Sequence, residues 1–346
     1  MPRFKRFKYD EMASDMFARY TQDFPKVVAI DTETSGVAWE DAAFCVTMSW
    51  RGMGGLTSAY FDLEWDESGT RREMIRQMMK LAHTWVFHNC KFDLQKLEAN
   101  GILRDGWNGR TIEDTQIIYS LINENDRKGL KYLAKKILGE ETDEDERLKV
   151  VRRKLKLKKD DGYHLLPREV VAPYAMKDTE FTLRLYEALK PKLADDLQDL
   201  YRFMIDFELA LLQIEGHGIG IDVPYLMQAK SEYGVRVLKG EQDLTRMARD
   251  ETGIEGKFNP NSPQQILEVF EARTGKRPES TDRATLEKMG DDPFAQALLQ
   301  YRSDKKMHST YLVPMLAEQR DGVLHPNFNT SLPRTGRMSS SAASNN

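Results

Sequence analysis

Cysteine is nearly absent: Cys45 and Cys90 are the two in 346 residues. That excludes a disulfide framework, and both are expected as small buried hydrophobes in a reducing compartment. Long apolar runs are missing too. None approaches the roughly 20 residues of a membrane span, and Met1-Pro2-Arg3-Phe4-Lys5-Arg6 is followed by no apolar signal core. No membrane segment is expected, and the cytoplasm of a cell or its host is the expected compartment. Neither sign of charge prevails, with 51 Lys and Arg against 55 Asp and Glu for a net charge of −4. Whole-chain electrostatics therefore do not announce a polyanion binder, and any nucleic-acid surface has to be local. Internal repeats and long low-complexity stretches are also lacking.

What is present is an ordinary globular composition, 40% hydrophobic and 31% charged, in a chain long enough for two cores. Val27-Val28-Ala29-Ile30-Asp31-Thr32-Glu33-Thr34 is a short apolar β run ending on two carboxylates one residue apart. Side chains alternate along a strand, so Asp31 and Glu33 project together and can share one cation. The pattern then predicts strands over 44–50 and 57–61, a helix near 71–82 and a strand over 84–88, a mixed α/β arrangement. His88-Asn89-Cys90-Lys91-Phe92-Asp93-Leu94 follows that strand, with Asn89 as helix N-cap and Gly101 as the stop. Asp93 then falls in the first helical turn beyond a strand end, where open α/β sheets build their sites. An acid favouring a helix N-terminus explains the same residue.

Helical periodicity resumes over 113–119 and 129–139. Acidic residues from 140 to 146 then give way to a basic run from Arg147 to Lys159, either a solvated face or an arm that contacts phosphates. Pro167 opens a helix on which Tyr174 and Asp178, one turn apart, share a face. Beyond Pro191 the pattern turns largely helical, over 194–215, 224–251 and 295–317, with another helix capped by Asn261-Ser262-Pro263. A brief strand falls at 219–222 and a hairpin-like stretch after Val323. The expected organisation is a basic-aromatic arm over 1–24, a mixed α/β domain over 25–191 and a helical segment over 192–346.

Asp31, Glu33, Asp93 and Asp178 together are hard oxygen donors that suit Mg²⁺ or Mn²⁺ and not a zinc site built on Cys and His. Two such cations about 4 Å apart form a general engine for phosphodiester cleavage. Without metal, clustered carboxylates repel one another and their pKa values rise.

Asp31-Thr32-Glu33-Thr34, His88-Asn89 to Phe92-Asp93, and Tyr174 with Asp178 resemble, in order and spacing, the three exonuclease motifs of the DEDD superfamily in its tyrosine-bearing branch. The likeness is greatest to the proofreading 3′–5′ exonuclease domain of family A DNA polymerases, those similar to bacterial DNA polymerase I and to phage replicative enzymes. It implies an RNase H-like mixed sheet flanked by helices. Asp31, Glu33 and Asp178 would hold one metal, Asp31 would reach a second, and Asp93 would bind the second through water. Tyr174 would orient the attacking water as a phenol. Asn89 would cap its helix or contact the nucleotide, and Phe92 would pack beneath it.

The resemblance continues into the helical half. Residues 207–222 look like the start of a family A polymerase domain and 258–267 like the tip of its thumb. Tyr301-Arg302, Lys306 to Tyr311, and Thr335-Gly336-Arg337-Met338-Ser339-Ser340 look like the grip on primer and template. Lys306 and Arg337 would contact the duplex through sequence-independent contacts. The palm and fingers are expected to be missing, which fits either a naturally split polymerase whose other half is a second polypeptide or a shortened chain. The expected function is metal-dependent proofreading of DNA 3′ ends. A stand-alone exoribonuclease of the same fold, and a non-catalytic DNA-gripping scaffold subunit, are the alternatives.

Overall fold

The structure is a computed structural model that describes residues 25–36, 39, 41–52, 54–104, 106–141, 144–157, 162–253, 258–330 and 337–341. The N-terminal arm and residues 158–161, including Lys158 and Lys159 of the basic run, lie outside the described residues. The chain divides into two compact units: Met1–His217 with Pro326–Asn346, and Gly218–His325.

In the first unit β1 (Val27–Thr34), β2 (Ala43–Gly52), β3 (Gly55–Asp62), β4 (Thr84–Phe87) and β5 (Thr111–Asp114) form one sheet in the order β3-β2-β1-β4-β5. β1 and β2, and β2 and β3, pair antiparallel. β1 and β4, and β4 and β5, pair parallel. Parallel neighbours need crossovers. Helix α1 (Thr70–Leu81) leads from β3 into β4, and α2 (Cys90–Ala99) leads from β4 towards β5. β1 is thus central, and its carboxyl end lies where α2 begins.

Alternation along β1 buries both faces. Val28 and Ile30 join the main core with Trp85, Leu94, Leu97 and Ile118, while Ala29 and Val86 pack against Leu183 from the other side. Each fully buried Leu, Ile or Phe contributes about 1.5–3 kcal/mol. The unit also contains α3 (Thr115–Ile122), α4 (Leu130–Leu133) running into a π-helical turn Ala134–Leu138, α5 (Glu144–Lys154) and α6 (Arg168–Leu189). Leu183 belongs to α6, which is pinned to β2 by Thr47 Oγ1 donating to the Ala175 carbonyl at 3.2 Å and by Ser49 and Thr179 hydroxyls 2.8 Å apart. The side of β1 that carries Ala29, Asp31 and Glu33 therefore faces α6.

The helix expected over 113–119 begins only at Thr115, because Glu113 and Asp114 end β5. Periodicity cannot register a buried acid held by ion pairs. Glu113 is 2% exposed and accepts from Tyr201 Oη at 2.6 Å and from Lys190 at 3.1 Å, with Arg202 also paired to it. Tyr201 lies on α7 (Gln198–His217), so that helix stays with the sheet and the unit reaches His217, beyond residue 191.

The second unit contains β6 (Ile219–Gly220), α8 (Val223–Thr252), α9 (Pro263–Thr274), α10 (Arg283–Glu287), α11 (Pro293–Lys306), a π-helical turn Met307–Leu312, α12 (Val313–Glu318) and β7 (Val323–Leu324). Its core is apolar and aromatic: Leu244, Phe258, Ile266, Phe270, Phe294, Leu298 and Tyr301. Ser262 caps α9 as expected, its hydroxyl accepting from the Gln265 amide, with Pro263 starting the helix. Gly240 lets α8 approach α11, since a Cβ there would stand 3.2 Å from the Tyr301 ring. The hairpin expected after Val323 is two separate ladders. β7 pairs with β6, while β8 (Asn327–Asn329) pairs with β9 (Ser339–Ser341) in the first unit. Among the described residues no helix is long and apolar enough to cross a membrane.

Candidate active site

Asp31 and Glu33 stand on the same side of β1, both half-buried. The register against β2 slips between Glu33 and Thr34, which pair with Cys45 and Ala43 and leave Phe44 of β2 over, an irregularity of the kind found beside sites. Asp93 lies in the first turn of α2 and is 3% exposed. Its Oδ1 accepts from the Thr32 amide at 2.9 Å and the Thr32 hydroxyl at 2.7 Å, so the residue between the two β1 acids holds the third.

Asn89 occupies the N-cap position of α2, but its side chain makes no capping bond, and its backbone is left-handed at φ 78°. Asp114 replaces it: this carboxylate accepts from the amides of Asn89 at 3.3 Å and Cys90 at 2.6 Å, and from Gln116 at 2.8 Å in α3. One buried acid thus starts two helices, which leaves the exposed Asn89 side chain available to other contacts. Phe92 is half-buried with the Lys96 ammonium 5.3 Å from its ring centre.

Tyr174 and Asp178 share a face of α6 as expected, and between them the structure places a residue that the sequence did not mark. Lys131, from α4, pairs with Asp178 Oδ1 and stands 4.3 Å from the Tyr174 ring centre. The Tyr174 ring also packs on Tyr163 at 5.6 Å. A lone lysine in an amphipathic helix carries no sign of such a pairing. Thr32 and Asp114 were likewise invisible as supports.

The carboxylates feel one another. Burial first, then Asp93, Glu33 and Asp178, push the Asp31 carboxyl well above its usual range, against the opposing pull of Lys131. Burial and Asp178 push Glu33 up to about 8. Burial pushes Asp93 up to about 7, although its Thr32 hydrogen bonds favour the charged form. Such an environment is short of positive charge, and the ammonium of Lys131 supplies part of it. Among the described residues no three Asp, Glu, His or Cys side chains close around one point tightly enough to hold a metal ion. Asp178 is engaged by Lys131. The donor set itself, carboxylate oxygens short of positive charge, fits a hard divalent cation.

Lys306 and Arg337 are both exposed, but they belong to different units: Lys306 ends α11 in the second, and Arg337 precedes β9 in the first.

Comparison with known proteins agrees with this architecture. Residues 7–194 match the family described as 3′–5′ exonuclease, and residues 224–344 match DNA polymerase family A. The DNA polymerase of Escherichia phage T5 is 30% identical over 76% of this chain and 34% of its own length. DNA polymerase I of Chloroflexus aurantiacus is 30% identical over 73% and 27%. The DNA polymerase DpoZ of Salmonella phage PMBT28 is 28% identical over 89% and 51%. The chain thus spans between about a quarter and a half of the length of these relatives. A solved structure described as the POL domain of Pol1 from M. smegmatis in complex with DNA primer-template and dNTP shares the fold, with a TM-score of 0.67 at 21% identity, covering 96% of this chain and 53% of that one. With more than half of its residues inside the exonuclease match, the chain belongs to the 3′–5′ exonuclease family of the family A DNA polymerases.

Proposed function

We propose that the chain is a metal-dependent 3′–5′ exodeoxyribonuclease that trims mispaired primer ends as part or subunit of a family A DNA polymerase. The observation that carries this reading is the grouping of Asp31, Glu33 and Asp178 around Lys131, with Asp93 acting on both β1 acids and Tyr174 beside the lysine. A binding module gains nothing by keeping four repelling acids together.

Two Mg²⁺ or Mn²⁺ ions, when bound, would supply an activated water and a counter-charge for the departing 3′ oxygen. Asp31, Glu33 and Asp178 would hold the first, and Asp31 with Asp93 the second. The rest falls to the chain's own side chains. Thr32 fixes Asp93 in one rotamer through two hydrogen bonds. Tyr174, a phenol at neutral pH, orients water by donating and accepting without taking its proton. Lys131 balances the acids through its pair with Asp178, which would have to be released for Asp178 to hold a metal. Asn89 and Phe92 contact the terminal nucleotide. Lys306 and Arg337 hold the backbone of the primer-template duplex. Synthesis belongs to palm and fingers carried by other sequence, whether on this polypeptide or a second one.

The test is degradation of a 5′-labelled single strand by the full chain with Mg²⁺. Products shortening stepwise from the 3′ end, abolished by EDTA and reduced more than about a hundredfold in Asp31→Ala and Asp93→Ala, are expected; ligands should cost more than the 10–100-fold typical of residues behind them. Undiminished trimming in the double variant would refute the assignment.

A further inference from the structure

The helix that carries Asp93 also carries a buried lysine that the proposed nuclease chemistry does not use. Lys91 is the second residue of α2 and only 7% exposed. Its ammonium reaches away from the acids of β1 to Glu215 Oε1 at 2.5 Å, with Glu208 Oε2 at 3.9 Å, both on α7. The same ammonium donates to the backbone carbonyl of Phe328.

Phe328 is the middle residue of β8, and its amide donates to the same Glu215 Oε1 at 2.6 Å. Both polar groups of this residue's backbone are therefore engaged by the Lys91–Glu215 pair. Thr330, just beyond, donates its hydroxyl to Glu208. β8 is held in turn to β9 in the register Phe328↔Ser340, and the exposed Arg337 lies two residues before β9. A strand whose amide and carbonyl are both claimed by buried charges cannot slide without leaving those charges unpaired. Apolar contact alone would permit such sliding. In the same first turn α2 is tied to β1 by Asp93 and Thr32. Hydrogen bonds and ion pairs thus run from the β9 ladder through Phe328 to Lys91, which shares the first turn of α2 with Asp93.

We propose that Lys91 is a positioning residue that fastens the β8–β9 pair to the Asp93 helix, so that duplex DNA held at that pair changes how firmly Asp93 is set. This rests on the reading of the first unit as a nuclease and of Arg337 as a duplex contact, and it adds a physical link between them. Spatial continuity becomes coupling only when both ends bias the same element, here α2.

The experiment is hydrogen exchange on the full chain in EDTA, where nothing is cleaved, with and without a primer-template duplex whose binding is followed by fluorescence anisotropy. In the wild type, duplex binding is expected to slow exchange of the α2 amides by about fivefold or more, the lower end of ordinary coupling. In Lys91→Met that protection is lost while the duplex still binds. Thr330→Val, which severs the tie to Glu208 from the strand side, reduces it. Should Lys91→Met fail to fold by circular dichroism, Glu215→Gln and Thr330→Val carry the same expectation. Protection that persists in these variants, no protection of α2 in the wild type with duplex bound, or no duplex binding at all would each overturn the proposal. The nuclease reading is judged separately, by single-strand cleavage in Asp31→Ala, which needs neither duplex nor Lys91.

Discussion

The two compact units bury different things. Among the described residues, the first hides Asp66, Lys91, Asp93, Lys96, Glu113, Asp114, Asp178, Glu208 and Glu215, whereas Asp304 is the one charged residue buried in the second. Burying charge costs several kcal/mol per ion unless it is paired, so a fold accumulates it only where pairing or chemistry returns something. In the first unit some of these charges brace the scaffold: Glu113 and Asp114 bind α7, α2 and α3 to β5. Asp93 and Asp178 instead crowd Asp31 and Glu33 and raise their pKa, a repulsion that costs stability. The second unit, held by Phe258, Phe270, Phe294 and their neighbours, is stabilised as an ordinary apolar core. The contrast separates a unit that buries repelling acids from one held by apolar packing.

Four perturbations sharpen or break that contrast. The largest effect is expected in the second unit: Phe294→Ala, at 0% exposure, should destabilise by about 3–5 kcal/mol in urea unfolding. Single-strand trimming under folding conditions should stay unchanged. A loss of trimming matching the loss of stability would erase the distinction between the units. Next comes Lys131→Met, which strips the partly buried partner from Asp178. Without metal it should lower stability by about 1–3 kcal/mol, below the 3–5 of a fully buried broken pair. Added Mg²⁺ should then stabilise this variant more than the wild type, as thermal melts with and without metal will show.

Smaller again is Thr32→Val. It removes the hydroxyl bond to Asp93 and keeps the amide bond, a loss of about 1 kcal/mol or roughly fivefold in trimming rate. The remaining effect is a slope with pH. Glu33 has its folded pKa raised to about 8 from an ordinary 4.5, so the folded state holds this proton more tightly than the unfolded state. Metal-free stability should therefore fall as pH rises from about 4.5 to about 8, and Glu33→Gln should flatten that part of the curve. Melting temperatures in EDTA across this range decide it, and a parallel curve for the variant would show that Glu33 is not strained.

The same contrast explains what could be read in the sequence. Val27–Thr34 announces itself as a strand with two acids on one side, and the Tyr174–Asp178 spacing announces a shared helix face, because strand and helix periods are properties of local sequence. The capped start of α9 at Ser262-Pro263 is legible for the same reason. What was not legible is pairing across long separations. Nothing near Lys131 shows that it meets Asp178, and Asn89 looked like the cap of α2 when Asp114, 25 residues on, does that work. Glu113 looked helical because its partners, Tyr201, Lys190 and Arg202, lie more than 70 residues away. Local pattern placed the chemical groups, and tertiary pairing decided which of them are supports.

The central claim is that Asp31, Glu33, Asp93 and Asp178 form a cation site, and calorimetric titration of Mn²⁺ into the full chain tests it most directly. The account predicts saturable binding that is lost in Asp31→Asn and weakened in Asp178→Asn, with circular dichroism unchanged. Binding of equal affinity and stoichiometry in both variants would contradict it.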